Sequence, residues 1–469
     1  MKIIGKMGLA LLVIAFLGLI VPGLEAATIN VNCNTGESVQ SALDNLTGPA
    51  TIVVRGTCNE NVVIKQDDVT LQGGTYIPFD SSQHTIRVLG ARRVVMTGVT
   101  VTGGRNGIWV YQGGSLTLDG NSNISGATIN GVVASYGSSA TVNSSTIQGN
   151  VYGVTATDNS AIVLTNSTIK DNTGTGVLVV RSSSARIGLS IMGVSGPNKI
   201  KNNSGSGVSI SRGAYAIVDG NKIADNSNHG VHIEGASATV TNNTIAHNQL
   251  KGIVVHNSGN ARIGLTEGSE AGPNTIEKNN LEGIHSSEGG SAYIFKNTIQ
   301  NNGISTHRPG VGIYRATAEL IGDNTIQGNG GHGVAVNQGT LFQGKGDWNL
   351  TTGPDFITGN GYSGISGWNG GSLNISNATI TGNGHNGISV DLHSALNIYG
   401  STISGNAYHG IWLEEGSVAD LGSPPASIKN NSYWGVFCED IESRLAGTTS
   451  GVENNTLGQV WCTRFQRSY

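Results

Sequence analysis

The sequence predicts an all-β chain wound as a single-stranded parallel β-helix, and three observations lead there. Asparagines recur along it, each three residues after an isoleucine: Asn150, Asn172, Asn203, Asn226, Asn248, Asn279, Asn302, Asn329, Asn360, Asn383, Asn406 and Asn431. Most are followed four residues on by a glycine and then Ile or Val, which sets a period of about 22 residues with some longer copies. Within a copy, stretches such as Ala238-Thr239-Val240, Thr244-Ile245-Ala246 and Ile253-Val254-Val255-His256 place apolar side chains at every second position, the mark of strands with one buried face. Composition agrees. The 71 glycines and only 9 prolines suit tight corners between short strands, and 469 residues exceed what one globular core normally fills.

The chain opens with Lys2 and Lys6, an apolar run from Met7 to Val21, and the small residues Ala26 and Ala27. Residues 1–26 are therefore expected to be a signal peptide that sends the protein to a periplasmic or extracellular space. The run is shorter than the ~20 residues a spanning helix prefers, so no membrane association is expected after cleavage. Residues 27–84 are expected to form an N-terminal cap and the first coils. There, Glu37 to Leu46 places Val39, Ala42, Leu43 and Leu46 on one helical face, a helix suited to plugging the open end of a stack. Strands follow at Ile52-Val53-Val54 and Val62-Val63-Ile64, the repeats fill 85–440, and 441–469 close the C-terminal end. Each repeat is expected to turn at its Asn and Gly, residue types that tolerate left-handed backbone.

Four cysteines allow three disulfide pairings. Local pairing, Cys33 with Cys58 and Cys438 with Cys462, would staple each end of the stack in an oxidising compartment. Longer copies place extra residues around 188–198, 264–274, 344–355 and 420–425. Insertions in solenoids tend to emerge on one side, often beside the binding face.

The pattern Asn-x-Thr-Ile-x-x-Asn-x-x-x-Gly-Ile/Val resembles the right-handed parallel β-helix repeat of pectin-lyase-like proteins, over roughly residues 85–440. That resemblance implies a right-handed coil and raises uronate polysaccharides as a substrate class. The same repeat serves lyases, epimerases, glycosidases, metal-handling accessory proteins and adhesins, so whether the chain is an enzyme stays open. Calcium is the cofactor that pectate-lyase chemistry would use, held by clustered carboxylates beside an Arg or Lys base. Asp67-Asp68 and Glu414-Glu415 do not supply such a cluster, because neighbours on a strand point to opposite faces. Gly331-His332-Gly333 is similar to the Gly-His-Gly of polygalacturonases, but the same slot holds His229, Lys251, His409 and Trp434 in other copies. A catalytic His332 is not expected.

Registering the copies on the Gly-Ile/Val pair places Trp109, His232, Val254, His285, Tyr314 and Trp412 two residues after the glycine. Tyr111, Glu234, His256, Trp368, Asp391, Glu414 and Glu439 stand four after it. A polar concentration lies mid-stack: His229, His232 and Glu234 on one coil, Lys251 and His256 on the next, Glu282 and His285 on the third. Glu234 and His256 fall side by side at the ~4.8 Å strand spacing, where a carboxylate orients or charges an imidazole for acid–base work. Glu234, His256, His232 and His285 are thus the catalytic candidates, against the plain alternative of a solvated strand face.

Trp109, Tyr111, Tyr314, Trp368 and Trp412 offer flat faces for sugar rings along an extended polysaccharide. Arg181 and Arg212, in one row with Asp158, are candidates to grip uronate carboxylates, or else form a modest surface salt bridge. A net charge of −4 with no Lys or Arg run excludes nucleic acid and anionic membrane as partners. Extracellular polysaccharide is the expected partner. The rival readings are a structural or adhesive rod and a metal-handling accessory protein, the latter without tight ligand spacing to mark a metal site. The sugar and the oligomeric state are left open.

Overall fold

Each coil contributes three strands, and each strand pairs in parallel with its equivalents one coil before and one coil after. Sheet I collects the Gly-Ile/Val strands, from Val62–Ile64 through Val231–Glu234, Ile253–His256 and Ile284–Ser287 to Gly458–Trp461. Sheet II collects the next strands, such as Ser237–Thr241 and Asn260–Ile263, and sheet III the Thr-Ile strands, such as Thr244–Ala246 and Thr275–Glu277. Sheets II and III merge at the N-terminal end, where Ala50–Asn59 and Val69–Ile77 run continuously round the corner, and together they make one 34-stranded sheet. In this computed structural model, residues 26–266, 268, 270–344 and 352–467 are described. The expected signal segment up to Glu25 and the middle of the 344–355 loop lie outside the described residues.

The period places identical residues in register. Ile147, Ile169, Ile200, Ile223, Ile245, Ile276, Ile299, Ile326 and Ile357 pair one above the next along sheet III, all fully buried. Each such side chain contributes roughly 1.5–3 kcal/mol by leaving water. The corner between sheets III and I carries the asparagine ladder: Asn226 N and Nδ2 both donate to Asn248 Oδ1 (3.2 and 3.0 Å), and Asn248 repeats this to Asn279 (3.1 and 2.9 Å). The corner between sheets II and III holds a second ladder, Asn198, Asn221, Asn243, Asn274, Asn297 and Asn324, which ends on the buried carboxylate of Asp355.

The corners turn differently from the sequence expectation. At the corner between sheets III and I the left-handed residue is the one before the ladder asparagine, as at Asp171 (φ 54°), Asp225 (φ 57°), His247 (φ 56°) and Lys278 (φ 54°). The repeat glycine has no positive φ. It is needed for space, since a Cβ on Gly230 would sit 2.5 Å from Ile245 Cγ2 and 2.7 Å from Gly252 O on the next coil. A side chain there would hold the coils apart.

Within the stretch 37–46 only Val39–Asp44 is helical, with Val39 and Leu43 buried. Glu60 meets its N-terminus, accepting from Ser38 Oγ (2.7 Å), Val39 N (2.8 Å) and Gln40 N (3.1 Å). The disulfides Cys33–Cys58 and Cys438–Cys462 form as the local pairs. The strand ladders continue through the terminal stretches, with Arg444–Gly447, Val452–Glu453 and Gly458–Trp461 each paired to the preceding coil.

The long insertions emerge together, between sheets II and III: 188–198 follows Ser184–Ile187 and 264–274 follows Asn260–Ile263. Neither edge of sheet I adjoins that corner, so these loops do not flank the His-rich face. A different insertion does. Residues 303–309 connect Thr298–Gln300 of sheet III to Val311–Tyr314 of sheet I.

Candidate functional site

The outward face of sheet I carries rings that touch one another over long stretches. Near the start, His84 meets Trp109 at 4.3 Å between ring centroids, Trp109 meets Tyr111 at 4.4 Å, and Tyr111 meets Tyr136 at 5.0 Å. In the middle, His229, His232 and His256 follow at 5.4 and 4.8 Å, and His285 stacks on Tyr314 at 5.0 Å. Tyr314 then meets Trp368 edge-on at 6.3 Å. Trp412 lies further along, its Nε1 donating to Glu439 Oε2 at 2.8 Å. All five aromatic candidates thus share this sheet.

One register assignment changes. Gly310 is the repeat glycine of its coil, as the collision of a Cβ there with Asn329 Nδ2 and Ile326 Cγ2 shows. Gly312 pairs with His285 and Tyr314 with Ser287, so Tyr314 belongs to the row of Glu234 and His256. The ten residues between Asn302 and Gly312 hide this in the sequence.

Glu234 and His256 are register partners on neighbouring coils, as expected. Their side chains nevertheless turn to other neighbours. His256 Nε2 lies 2.6 Å from His232 Nε2, and Glu234 Oε1 accepts from Asn257 Nδ2 at 3.0 Å. His232 and His285 occupy the same row but are separated by the buried Val254. Arg181 Nη1 meets Asp158 Oδ1 at 3.4 Å, an exposed surface pair of small energetic weight.

A nearly buried carboxylate lies on the coil after that of His256. Glu282 is 2 % exposed and its Oε1 lies 3.5 Å from His285 Nδ1, long for a hydrogen bond. Glu282 Oε2 and His285 Nδ1 consequently have no hydrogen-bond partner among the described residues. Burial pushes the Glu282 carboxyl up, but contact with His285 and the Lys251 charge outweigh it and hold the group below its ordinary range. Burial lowers Lys251, with Glu282 opposing and Arg308 reinforcing the shift. Burial, with the Glu282 charge, pushes the Tyr314 hydroxyl up to about 12. His229 is structural: its Nδ1 accepts from Lys251 N at 3.3 Å, and burial lowers it to about 3. His409 does the same for Trp434 N at 3.3 Å, whereas Nδ1 of His332, in the same slot, has no hydrogen-bond partner among the described residues.

Lys251, Glu282, His285, Tyr314 and Arg308 therefore combine a cationic pair, an imidazole beside a buried carboxylate, and a phenol held neutral. Such a set can neutralise a carboxylate and move a proton next to it. Repeat registration finds Lys251, Glu282 and His285. Arg308 comes from the 303–309 insertion, and the broken period is its only sequence signal. Farther along, Asp391, Glu414 and Glu439 form a carboxylate column that reading Glu414-Glu415 as a local pair overlooks.

No curated protein matches the chain. Among solved structures it is similar to pectate lyase Pel9A, with 14% identity over 58% of this chain and 78% of that one and a TM-score of 0.41. It is similar to the A-module of Azotobacter vinelandii mannuronan C-5 epimerase AlgE4 at 13% identity, 92% and 95% coverage, and a TM-score of 0.29. The periplasmic alginate epimerase AlgG gives 12% identity, 93% and 82% coverage, and a TM-score of 0.33. The family described as the right-handed β-helix region matches residues 49–191, 188–315, 229–343 and 282–457, overlapping segments that span most of the chain. With its three parallel sheets and ladders of asparagine, the chain belongs to that right-handed parallel β-helix family.

Proposed function

We propose that this chain is an exported protein that binds an extended extracellular polysaccharide along sheet I and abstracts the proton next to a uronate carboxylate. The observation that carries this reading is the juxtaposition of the ring-lined face with the buried Glu282–His285 pair. Trp109, Tyr111, Tyr314, Trp368 and Trp412 stack on sugar rings. Lys251 and Arg308 take the uronate carboxylate, which stabilises the charge that develops when its neighbouring carbon loses a proton. His285, with the Glu282 carboxylate 3.5 Å from its Nδ1, accepts that proton, and the neutral Tyr314 hydroxyl donates one. The electron pair then either expels the glycosidic oxygen, giving a lyase, or is reprotonated from the opposite face, giving an epimerase. His232, Glu234 and His256 line the adjoining part of the groove, with Arg181 and Arg212 towards its N-terminal end.

The remaining parts of the reading concern the ends. Residues 1–26 direct export, the Val39–Asp44 helix closes the core at 27–84, and 441–469 closes the other end of the 85–440 repeats. Retention on immobilised polysaccharides tests the groove. The full chain is expected to be retarded by a polyuronate and not by a neutral glucan, and Trp368→Ala combined with Trp412→Ala is expected to weaken retention by roughly tenfold, about 1.4 kcal/mol. Equal retention of this double variant and the parent would remove sheet I as the binding face. Retention at the end coils alone would favour an adhesive rod.

A further inference from the structure

We propose that His232, His256 and Glu234 form a binding site for one divalent transition-metal ion of the zinc type, on the outer face of sheet I. The site is separate from the Glu282–His285 pair and stands or falls independently of polysaccharide binding. Nothing in the repeat requires its residues: the same two rows hold Ser209 and Ser211 on the preceding coil, and Val254 and Ser287 on the following ones.

The geometry carries the assignment. His232 Nε2 and His256 Nε2 point at each other across 2.6 Å, shorter than the ~2.9 Å of an ordinary N–H donor bond. Nitrogens aimed in this way bring one lone pair against either a proton or a second lone pair. An ion between them satisfies both. The potential ligand atoms of His232, Glu234 and His256 all lie within 4.8 Å of one another. Zinc–nitrogen bonds of ~2.1 Å in tetrahedral arrangement need nitrogens ~3.4 Å apart, so the rings have to part by about 0.8 Å, a small rotation for side chains on adjacent strands. Glu234 is already oriented, since Asn257 Nδ2 donates to its Oε1 at 3.0 Å and leaves Oε2 for an ion. All three side chains are partly exposed, which provides an entry path and leaves a fourth position open to water or to a ligand oxygen. Two imidazoles and one carboxylate suit zinc, cobalt, nickel or copper and do not suit calcium, which prefers oxygen ligands. Among the described residues, the other cluster with suitable atoms, Cys33, Cys58 and Glu60, is excluded because its sulfurs are joined in a disulfide.

The test is a titration of the chelator-treated full chain with Co²⁺, followed by displacement with Zn²⁺. The expected result is one equivalent of Co²⁺ with visible absorption typical of a tetrahedral site, lost on addition of one equivalent of Zn²⁺. His232→Ala with His256→Ala abolishes the signal, and the isosteric Glu234→Gln weakens binding by tenfold or more while leaving the metal-free melting temperature unchanged. The chain has 11 histidines, so uptake that persists in the double variant would place the metal elsewhere and overturn the assignment. Absence of uptake by the parent chain would overturn it equally.

Discussion

Asp391, Glu414 and Glu439 occupy one row of sheet I on successive coils, so each carboxylate faces another at about the 4.8 Å strand spacing. Burial, then the charges of Glu439 and Asp391, push Glu414 up to about 7. The sign follows from linkage: the folded state holds the proton more tightly than the unfolded state, so stability falls as pH rises from about 4.5 towards 7. Glu414→Gln is therefore expected to stabilise the protein at pH 8, by on the order of 1 kcal/mol after solvent screening, and to change little at pH 4. Urea midpoints at the two pH values check this, and equal effects at both would show that the column is not coupled. Repeat registration puts these three residues in one row, yet composition gives no warning of the repulsion. The same limit applies at His232. Its row is readable from the sequence, but its contact with His256 in the neighbouring row depends on side-chain rotation, which no spacing encodes.

At the scale of the strand and corner, the sequence is most transparent where every coil demands the same solution. Asn248 accepts two bonds from Asn226 and donates to Asn279 Oδ1 and to Ile223 O. Asn248→Ala leaves these buried groups unpaired and is expected to cost about 3 kcal/mol. Gly230→Ala drives a Cβ into Ile245 and the Gly252 carbonyl, and roughly 1–3 kcal/mol is expected. Denaturation midpoints measure both. A loss below about 0.5 kcal/mol in either would contradict the packing described for these corners. The ladder and the Ile column were legible because a repeated contact leaves a repeated residue. The left-handed residue was also signalled, though the repeat asparagine drew the reading away from it: the position before that asparagine holds Gly, Asn or Asp, as at Gly149, Asp171, Asn202 and Gly328, with His247 and Lys278 as the departures.

Across the whole molecule, one continuous core runs from Val31 to Val452, and function is confined to what the coils display outward. Period and composition suffice for that architecture. They do not locate the proposed binding face, because the conspicuous insertions open between sheets II and III, whereas the short 303–309 connection brings Arg308 to sheet I. Proton abstraction next to a uronate carboxylate leaves a direct trace in heavy water. The chain is incubated with polyuronates in D₂O, and the signal of the hydrogen beside the carboxylate is followed by proton NMR, with Glu282→Gln as the comparison. The account predicts loss of that signal, through deuterium return or through formation of an unsaturated end, with the rate lowered at least a hundredfold in Glu282→Gln. Full retention of the hydrogen by a polyuronate that the chain binds, or an equal rate in Glu282→Gln, would contradict it.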